Sequence, residues 1–245
     1  MTKFLSLLDR AALYFPRVDI IGRADPFEGY YTAANMAWEK LRFDELPQEW
    51  RDQTDTRDEE TFRRVVQNVR AIRQFVKWSR EVTFVSSWHT QPHESAAMWS
   101  LYLKTEDGIA VQSTYRRLID ALAGYPDWDI FIGLVRYIDY DREAVPGGNA
   151  LFPLMYKRKS FEHERELRAL IWTPQNNKNG IEPTTNRFRD VEGLHVTVDV
   201  NALIEKIFVA PTAPPWVVDL VSSLVKRFGL GQQVVRSRLA DSPLY

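Results

Sequence analysis

The chain has 245 residues, with 32 Lys and Arg against 33 Asp and Glu for a formal charge of -1, and it has no cysteine. A near-neutral balance selects no nucleic-acid or membrane partner. The missing thiols exclude a disulfide framework, a thiol nucleophile, a cysteine zinc site and an iron–sulfur centre.

Hydrophobic residues make up 44% and charged residues 27%, a globular composition that buries a core without staples. No apolar run approaches the roughly 20 residues of a membrane span. Met1-Thr2-Lys3-Phe4 lacks the apolar core of a secretion signal, so the reading is a soluble, cytoplasmic chain without membrane attachment.

In chain order, Phe4 to Leu8 is a short apolar helix or strand, and Ala12-Leu13-Tyr14-Phe15 is an edge strand that Pro16 ends. Asp25-Pro26-Phe27-Glu28-Gly29 places two carboxylates on a structured turn. Thr32 caps a helix running to about Leu41. The longest helix covers residues 57 to 80, because Phe62, Val65, Val66, Val69, Ile72 and Val76 recur at helical spacing. Arg63, Arg70, Arg73, Lys77 and Arg80 form its basic flank, and Asp58, Glu59 and Glu60 suit its positive end.

Residues 82 to 88 read as a strand, 93 to 103 as a helix, 108 to 113 as a strand after an Asp-Gly turn, and 114 to about 123 as a helix capped by Thr114. A third strand is expected over 130 to 140, a helix over 151 to 160 and a fourth strand over 167 to 173. A polar surface loop follows over 175 to 190. Strands over 194 to 200 and 204 to 209, a helix over 216 to 228 opened by Pro214-Pro215, and a strand over 233 to 238 complete the chain. This irregular alternation predicts one α+β domain over residues 1 to 245, with a mixed, mostly antiparallel sheet, flanking helices and a long helical insertion at about 32 to 80.

The densest polar segment runs from Lys157 to Trp172. As a strand from about Glu164, its period of two puts Glu164, Glu166 and Arg168 on one face and Leu167, Ala169 and Ile171 on the core face. Paired carboxylates beside a guanidinium split roles, one pKa rising by like-charge repulsion while the arginine keeps the other group ionised. The competing reading is a solvated helix with Glu162/Glu166 and Glu164/Arg168 at i, i+4 spacing. The run Arg168-Ala169-Leu170-Ile171-Trp172-Thr173 before Pro174 favours the strand, which makes Lys157-Arg158-Lys159 the end of the preceding helix.

His89, His93 and Glu94 invite a metal reading, but Pro92 between the histidines breaks the helical face that zincin ligands share, so no metal is expected. Trp88, Trp99 and Tyr102 form either part of the core or an aromatic wall for a planar ring. No phosphate-cradling glycine loop and no Ser-His-Asp order are present.

The order Asp25-Pro26-Phe27-Glu28, Ser87-Trp88, Glu94-Ser95, Met98-Trp99-Ser100-Leu101-Tyr102, Gly108-Ile109-Ala110, Tyr137, and Lys157 with Phe161, Glu164, Glu166 and Arg168 resembles a bacterial family catalogued as domain of unknown function 2971. The resemblance covers roughly residues 3 to 240. It implies a single soluble bacterial or phage-associated domain and lends no reaction.

A more distant likeness is to ADP-ribosyltransferases. It implies an NAD-consuming toxin or anti-phage effector that modifies a protein or nucleic-acid acceptor. In that likeness Lys3 or Arg17 stands for the early basic residue, Ser86-Ser87 for the serine strand, and Glu164-Arg165-Glu166 for the late Glu-x-Glu. Glu166 would bind ribose and stabilise the oxocarbenium-like transition state, and Glu164 would orient or deprotonate the acceptor. Trp88 or Tyr102 would stack on nicotinamide, Arg168 or Lys157 would meet pyrophosphate, and Trp99 and Arg17 are further cofactor-binding candidates. Asp25, Glu28 and Glu94 complete the cleft candidates. With Glu164 they also supply the alternative of a metal-dependent nuclease; a further alternative is a binding or sensing domain without chemistry.

Overall fold

Local chemistry sets the element boundaries. The computed structural model describes residues 1–21, 25–46, 52, 58–103, 107–177, 180–181, 187–239 and 241–242. Helix α1 (Thr2–Arg10) buries Phe4, Leu7 and Leu8 and ends where Ala11 turns left-handed at φ 45°. Strand β1 (Ala12–Pro16) and the short helix α2 (Val18–Ile21) follow. Thr32 and Asn35 exchange hydrogen bonds as a capping box for α3 (Ala33–Met36). Two 3-10 turns, Ala37–Lys40 and Phe43–Glu45, continue the chain. Helix α4 (Glu59–Glu81) starts at Asp58, whose carboxylate accepts the Thr61 N–H at 2.8 Å. It buries Phe62, Val69 and Val76, while Ile72 lies exposed.

Strand β2 (Thr83–His89), helix α5 (Ala96–Tyr102), strand β3 (Ile109–Gln112) and helix α6 (Tyr115–Leu122) come next. The strand expected over 130 to 140 is two strands, β4 (Ile130–Leu134) and β5 (Arg136–Ile138), in different sheets. The helix expected over 151 to 160 is not formed. Residues Phe152–Met155 make a 3-10 turn, Tyr156–Arg158 make strand β6, and Lys159–Glu164 make a second 3-10 turn. The reason is pairing: β6 runs parallel to β5, so its backbone is satisfied laterally, and Lys157 and Arg158 belong to a strand rather than a helix end.

Strand β7 (Glu166–Trp172) begins between the two starts the sequence suggests, two residues after Glu164 and one before Leu167. Arg165, at φ 41°, occupies the left-handed region that closes the preceding turn, which leaves Glu164 off the strand. The described part of the polar loop carries a small hairpin, β8 (Asn176–Asn177) with β9 (Gly180–Ile181). Strand β10 (Gly193–Thr197), helix α7 (Val200–Leu203) capped by Asp199, strand β11 (Lys206–Val209), helix α8 (Pro215–Arg227) and strand β12 (Gln233–Arg236) end the succession.

The result is a mixed α+β fold. Strand pairing is antiparallel for β2 with β7, β3 with β11 and β8 with β9, and parallel for β11 with β12 and β5 with β6. The chain divides into two units. The first comprises Met1–Phe15, Thr90–Ile130 and Leu194–Tyr245. Its sheet has the order β12-β11-β3, with the fully buried Ile207 of β11 flanked by Val111 and Val234. Helix α8 buries Val217, Val221 and Val225 and leaves Trp216 exposed.

The second unit comprises Pro16–His89 and Phe131–Gly193. Its sheet has the order β2-β7-β4, so β7 is central, and six of its seven residues are buried. Val85 and Leu170 face each other across β2 and β7 and form a core cluster with Val18, Leu151 and Leu154. Since side chains alternate along a strand, Glu166 and Arg168 lie on the same sheet face as Leu170. That face is therefore apolar at one end and charged at the other. No described helix is long and apolar enough to cross a membrane.

Candidate functional site

The charged end of this face begins with the Asp25-Pro26-Phe27-Glu28-Gly29 turn. Asp25 Oδ1 accepts the Phe27 N–H at 3.1 Å, and its carbonyl accepts the Glu28 N–H at 3.0 Å. Gly29 has φ +72°, and a Cβ there would sit 2.6 Å from Leu154 Cδ2. Only glycine lets the turn press this close to the core, and the close approach holds Glu28 buried.

Arg168 meets Glu28 at the centre. It donates to Glu166 Oε2 at 2.7 Å, to Glu28 Oε1 at 2.6 Å and to the Leu154 carbonyl at 2.6 Å, with its side chain 2% exposed. Lys157, supplied by β6, donates to Glu166 Oε1 at 2.7 Å and also to Glu164, and lies 3.5 Å from Glu28. Both oxygens of Glu166 are therefore held by cations, and its N–H donates to the Tyr137 hydroxyl at 2.8 Å. Asp25 pairs with Arg158 at 2.6 Å, and the Arg158 guanidinium also lies over the Phe27 and Phe161 rings. The Tyr140 hydroxyl donates to the Tyr156 carbonyl at 2.9 Å, bracing β6 from behind.

Three carboxylates, Glu28, Glu164 and Glu166, crowd around Lys157 and Arg168. Ionising all three together at a buried site is costly. The titration directions reflect this. Burial alone would raise Glu166, but Arg168, with help from Glu164 and Lys157, overrides it and holds Glu166 well below the usual carboxylate range. Burial raises Glu164 above that range, and its hydrogen bond to Glu166 adds to the rise against the opposing pull of Lys157. Burial disfavours the Lys157 ammonium, yet Glu28 and Glu166 keep it firmly protonated. With its side chain 13% exposed, Glu164 is the most accessible of the carboxylates around Lys157 and Arg168.

The structure thus brings together Asp25, Glu28, Lys157, Glu164, Glu166 and Arg168. Arg17 is committed elsewhere, forked onto Asp19 and donating to the carbonyls of Phe188, Arg189 and Val191. Trp88 is half-buried on β2, with its indole N–H on Ser86 Oγ at 3.2 Å. Glu94, Trp99 and Tyr102 belong to the other unit, where Trp99 donates to Glu94 at 3.0 Å and Tyr102 is 64% exposed. Lys3 also lies in that unit, on α1. Arg80, read as part of a basic flank, is buried and stacked over Tyr30 at 4.2 Å, because the end of α4 enters the core. Among the described residues, no group of three or more His, Asp or Glu side chains is placed to hold a metal ion.

Two residues join the site in roles that the sequence does not suggest. Tyr137 anchors the start of β7, and His89 pairs in register with Glu166 while its Nδ1 lies 2.5 Å from the Glu164 carbonyl. His89 directly follows Trp88 at the end of an alternating strand, and that position was its available signal. No protein-family model matches the chain, and no curated protein or solved structure matches it.

Proposed function

We propose that the chain is an NAD-consuming enzyme of the ADP-ribosyltransferase type, acting as a toxin or anti-phage effector in the bacterial cytoplasm. Membership of the family named above is proposed with it, on the motif order alone. One observation carries the chemistry: two buried carboxylates, Glu164 and Glu166, share the Lys157 ammonium, and Glu166 is also held by Arg168 while Glu164 is the more accessible. Such a site favours a cationic reacting group.

When the glycosidic bond of NAD breaks, positive charge develops on the ribose ring as neutral nicotinamide leaves. Glu166, fixed by Arg168 and Lys157, supplies preoriented negative charge for that state without moving. Glu164, the more accessible of the pair, takes the proton of the incoming acceptor hydroxyl or water. Its raised pKa makes it a stronger base than a free carboxylate. Lys157 and Arg168 are occupied by carboxylates, so their part is to hold Glu166 and Glu164 rather than to bind pyrophosphate. Arg158, whose side chain is 33% exposed, is the cluster cation most open to a phosphate group.

Purified protein incubated with nicotinamide-labelled NAD, alone and with cell lysate, tests this reading. Release of nicotinamide by the parent chain and its loss in Glu166→Gln and Glu164→Gln, each folded by circular dichroism, are the expected results. Turnover that survives in Glu166→Gln removes the proposal.

A second reading rests on the direct ion pairs that join these side chains. The network then serves only to lock β2, β6 and β7, and the chain is a binding or sensing domain. That reading expects no nicotinamide release from any variant.

A further inference from the structure

His89 carries the inference. It closes β2 directly opposite Glu166, and its Nδ1 lies 2.5 Å from the backbone oxygen of Glu164. A carbonyl oxygen only accepts, so Nδ1 must carry the proton. The other ring nitrogen, Nε2, is buried and has no hydrogen-bond partner. Burying the bare Nε2 has a cost, and the bond made by Nδ1 is what an apolar side chain of the same size would not supply.

That bond falls at a strained place. Glu164 ends its 3-10 turn, and Arg165 follows at φ 41°, ψ 58°, a left-handed conformation that carries a penalty for a residue with a Cβ. The turn also carries an Arg165 N–H to Glu162 carbonyl bond of 3.3 Å. The consequence of the turn is that Glu164 leaves the strand line and reaches Lys157 beside Glu166.

We propose that His89 is a positioning residue, whose Nδ1–H bond to the Glu164 carbonyl holds the strained 164–165 turn and so keeps the Glu164 carboxyl inside the charged cluster. It does not touch the reacting atoms. Its effect is read in the titration of Glu164, since a released turn lets that carboxyl reach water and return towards its ordinary range. The proposal rests on the reading of Glu164 as the proton-exchanging group, but its test does not require turnover.

The experiment is a carboxyl-carbon NMR titration of the full chain, with labelled glutamate and Glu164 assigned by comparison with Glu164→Gln. His89→Asn places an amide N–H near the position of Nδ1, and His89→Gln places one near that of Nε2. His89→Phe supplies neither. The Glu164 midpoint is expected to stay at its parent value in His89→Asn and to fall in His89→Gln and His89→Phe. In the double variant His89→Phe/Arg165→Gly, where glycine relieves the left-handed strain, the midpoint is expected to recover part of the loss.

An unmoved midpoint in both His89→Phe and His89→Gln overturns the proposal, as does a fall in His89→Asn equal to that in His89→Phe. Absence of nicotinamide release from the parent chain would instead remove the enzymatic reading and leave this result standing. If His89→Phe does not fold, the comparison of His89→Asn with His89→Gln decides the matter alone.

Discussion

Replacing Arg168 by methionine is the most demanding test of the cluster. The guanidinium is 2% exposed and donates to two buried carboxylates, at 2.7 Å and 2.6 Å, and to a backbone carbonyl at 2.6 Å. Methionine fills the stem volume but leaves Glu166 and Glu28 facing Lys157 alone. Hydrogen bonds to charged groups contribute about 1.5–3 kcal/mol each. Two of them give about 3–6 kcal/mol, in line with the ~3–5 kcal/mol lost when one member of a buried ion pair is removed. At this chain length that corresponds to a fall in melting temperature of roughly 6–20 °C.

Arg168→Lys should lose less, because one ammonium keeps the charge but cannot fork between Glu166 and Glu28. The triple variant Arg168→Met/Glu166→Gln/Glu28→Gln leaves Lys157 paired with Glu164 and should regain most of the loss, since no buried charge is left unpaired. Urea unfolding followed by tryptophan fluorescence measures all three. A loss in Arg168→Met below ~1 kcal/mol, or a triple variant no more stable than the single one, would refute the assignment of the cluster as a mutually compensating ionic network.

The carboxylates should also separate by pH. Glu166 has a lowered folded-state pKa, so its contribution is present above the ordinary carboxylate range and is lost as pH falls; unfolding midpoints of Glu166→Gln should therefore change less in acid than those of the parent. Glu164 has a raised folded-state pKa, so stability falls as pH climbs from the ordinary carboxylate range through the raised value. Glu164→Gln should accordingly be at least as stable as the parent above that window, and a clear loss there contradicts the raised pKa. Gly29→Ala combines φ +72° with a 2.6 Å approach to Leu154, and should cost about 1–3 kcal/mol by thermal unfolding; a neutral result would mean the turn is not pressed on the core. Calorimetry should find NAD binding about tenfold or more tighter than its reduced form, a difference of ~1.4 kcal/mol, because only the oxidised ring is cationic. Equal affinities count against a site that favours a cationic ring.

Much of this arrangement was legible in the residues. Helical spacing located α4, Thr114 announced the start of the helix it caps, and the alternation read from Glu164 pointed to a strand and put Glu166 and Arg168 on a shared face. The misreadings have one cause: pairing with distant segments overrode the local pattern. Leu151 to Ser160 has enough apolar residues for a helix, yet Tyr156–Arg158 gains its hydrogen bonds from β5, and no local signal announces a parallel partner some twenty residues upstream. Glu164 fell off the strand because Arg165 adopts a conformation that sequence normally assigns to glycine or asparagine. The tie between Arg168 and Glu28 spans 140 positions, and only the fold brings them together. His89 was visible as a histidine at a strand end, but its bond to the Glu164 backbone depends on a turn that the sequence does not reveal.

The claim on which the account turns is that two neighbouring glutamates are driven apart in acidity by unequal shares of two buried cations. A site-resolved carboxyl titration of the parent chain measures this directly. Glu164 titrating above the ordinary glutamate range, with Glu166 still ionised below it, is the expected result. Both groups titrating together in the ordinary range, or in the opposite order, would contradict it.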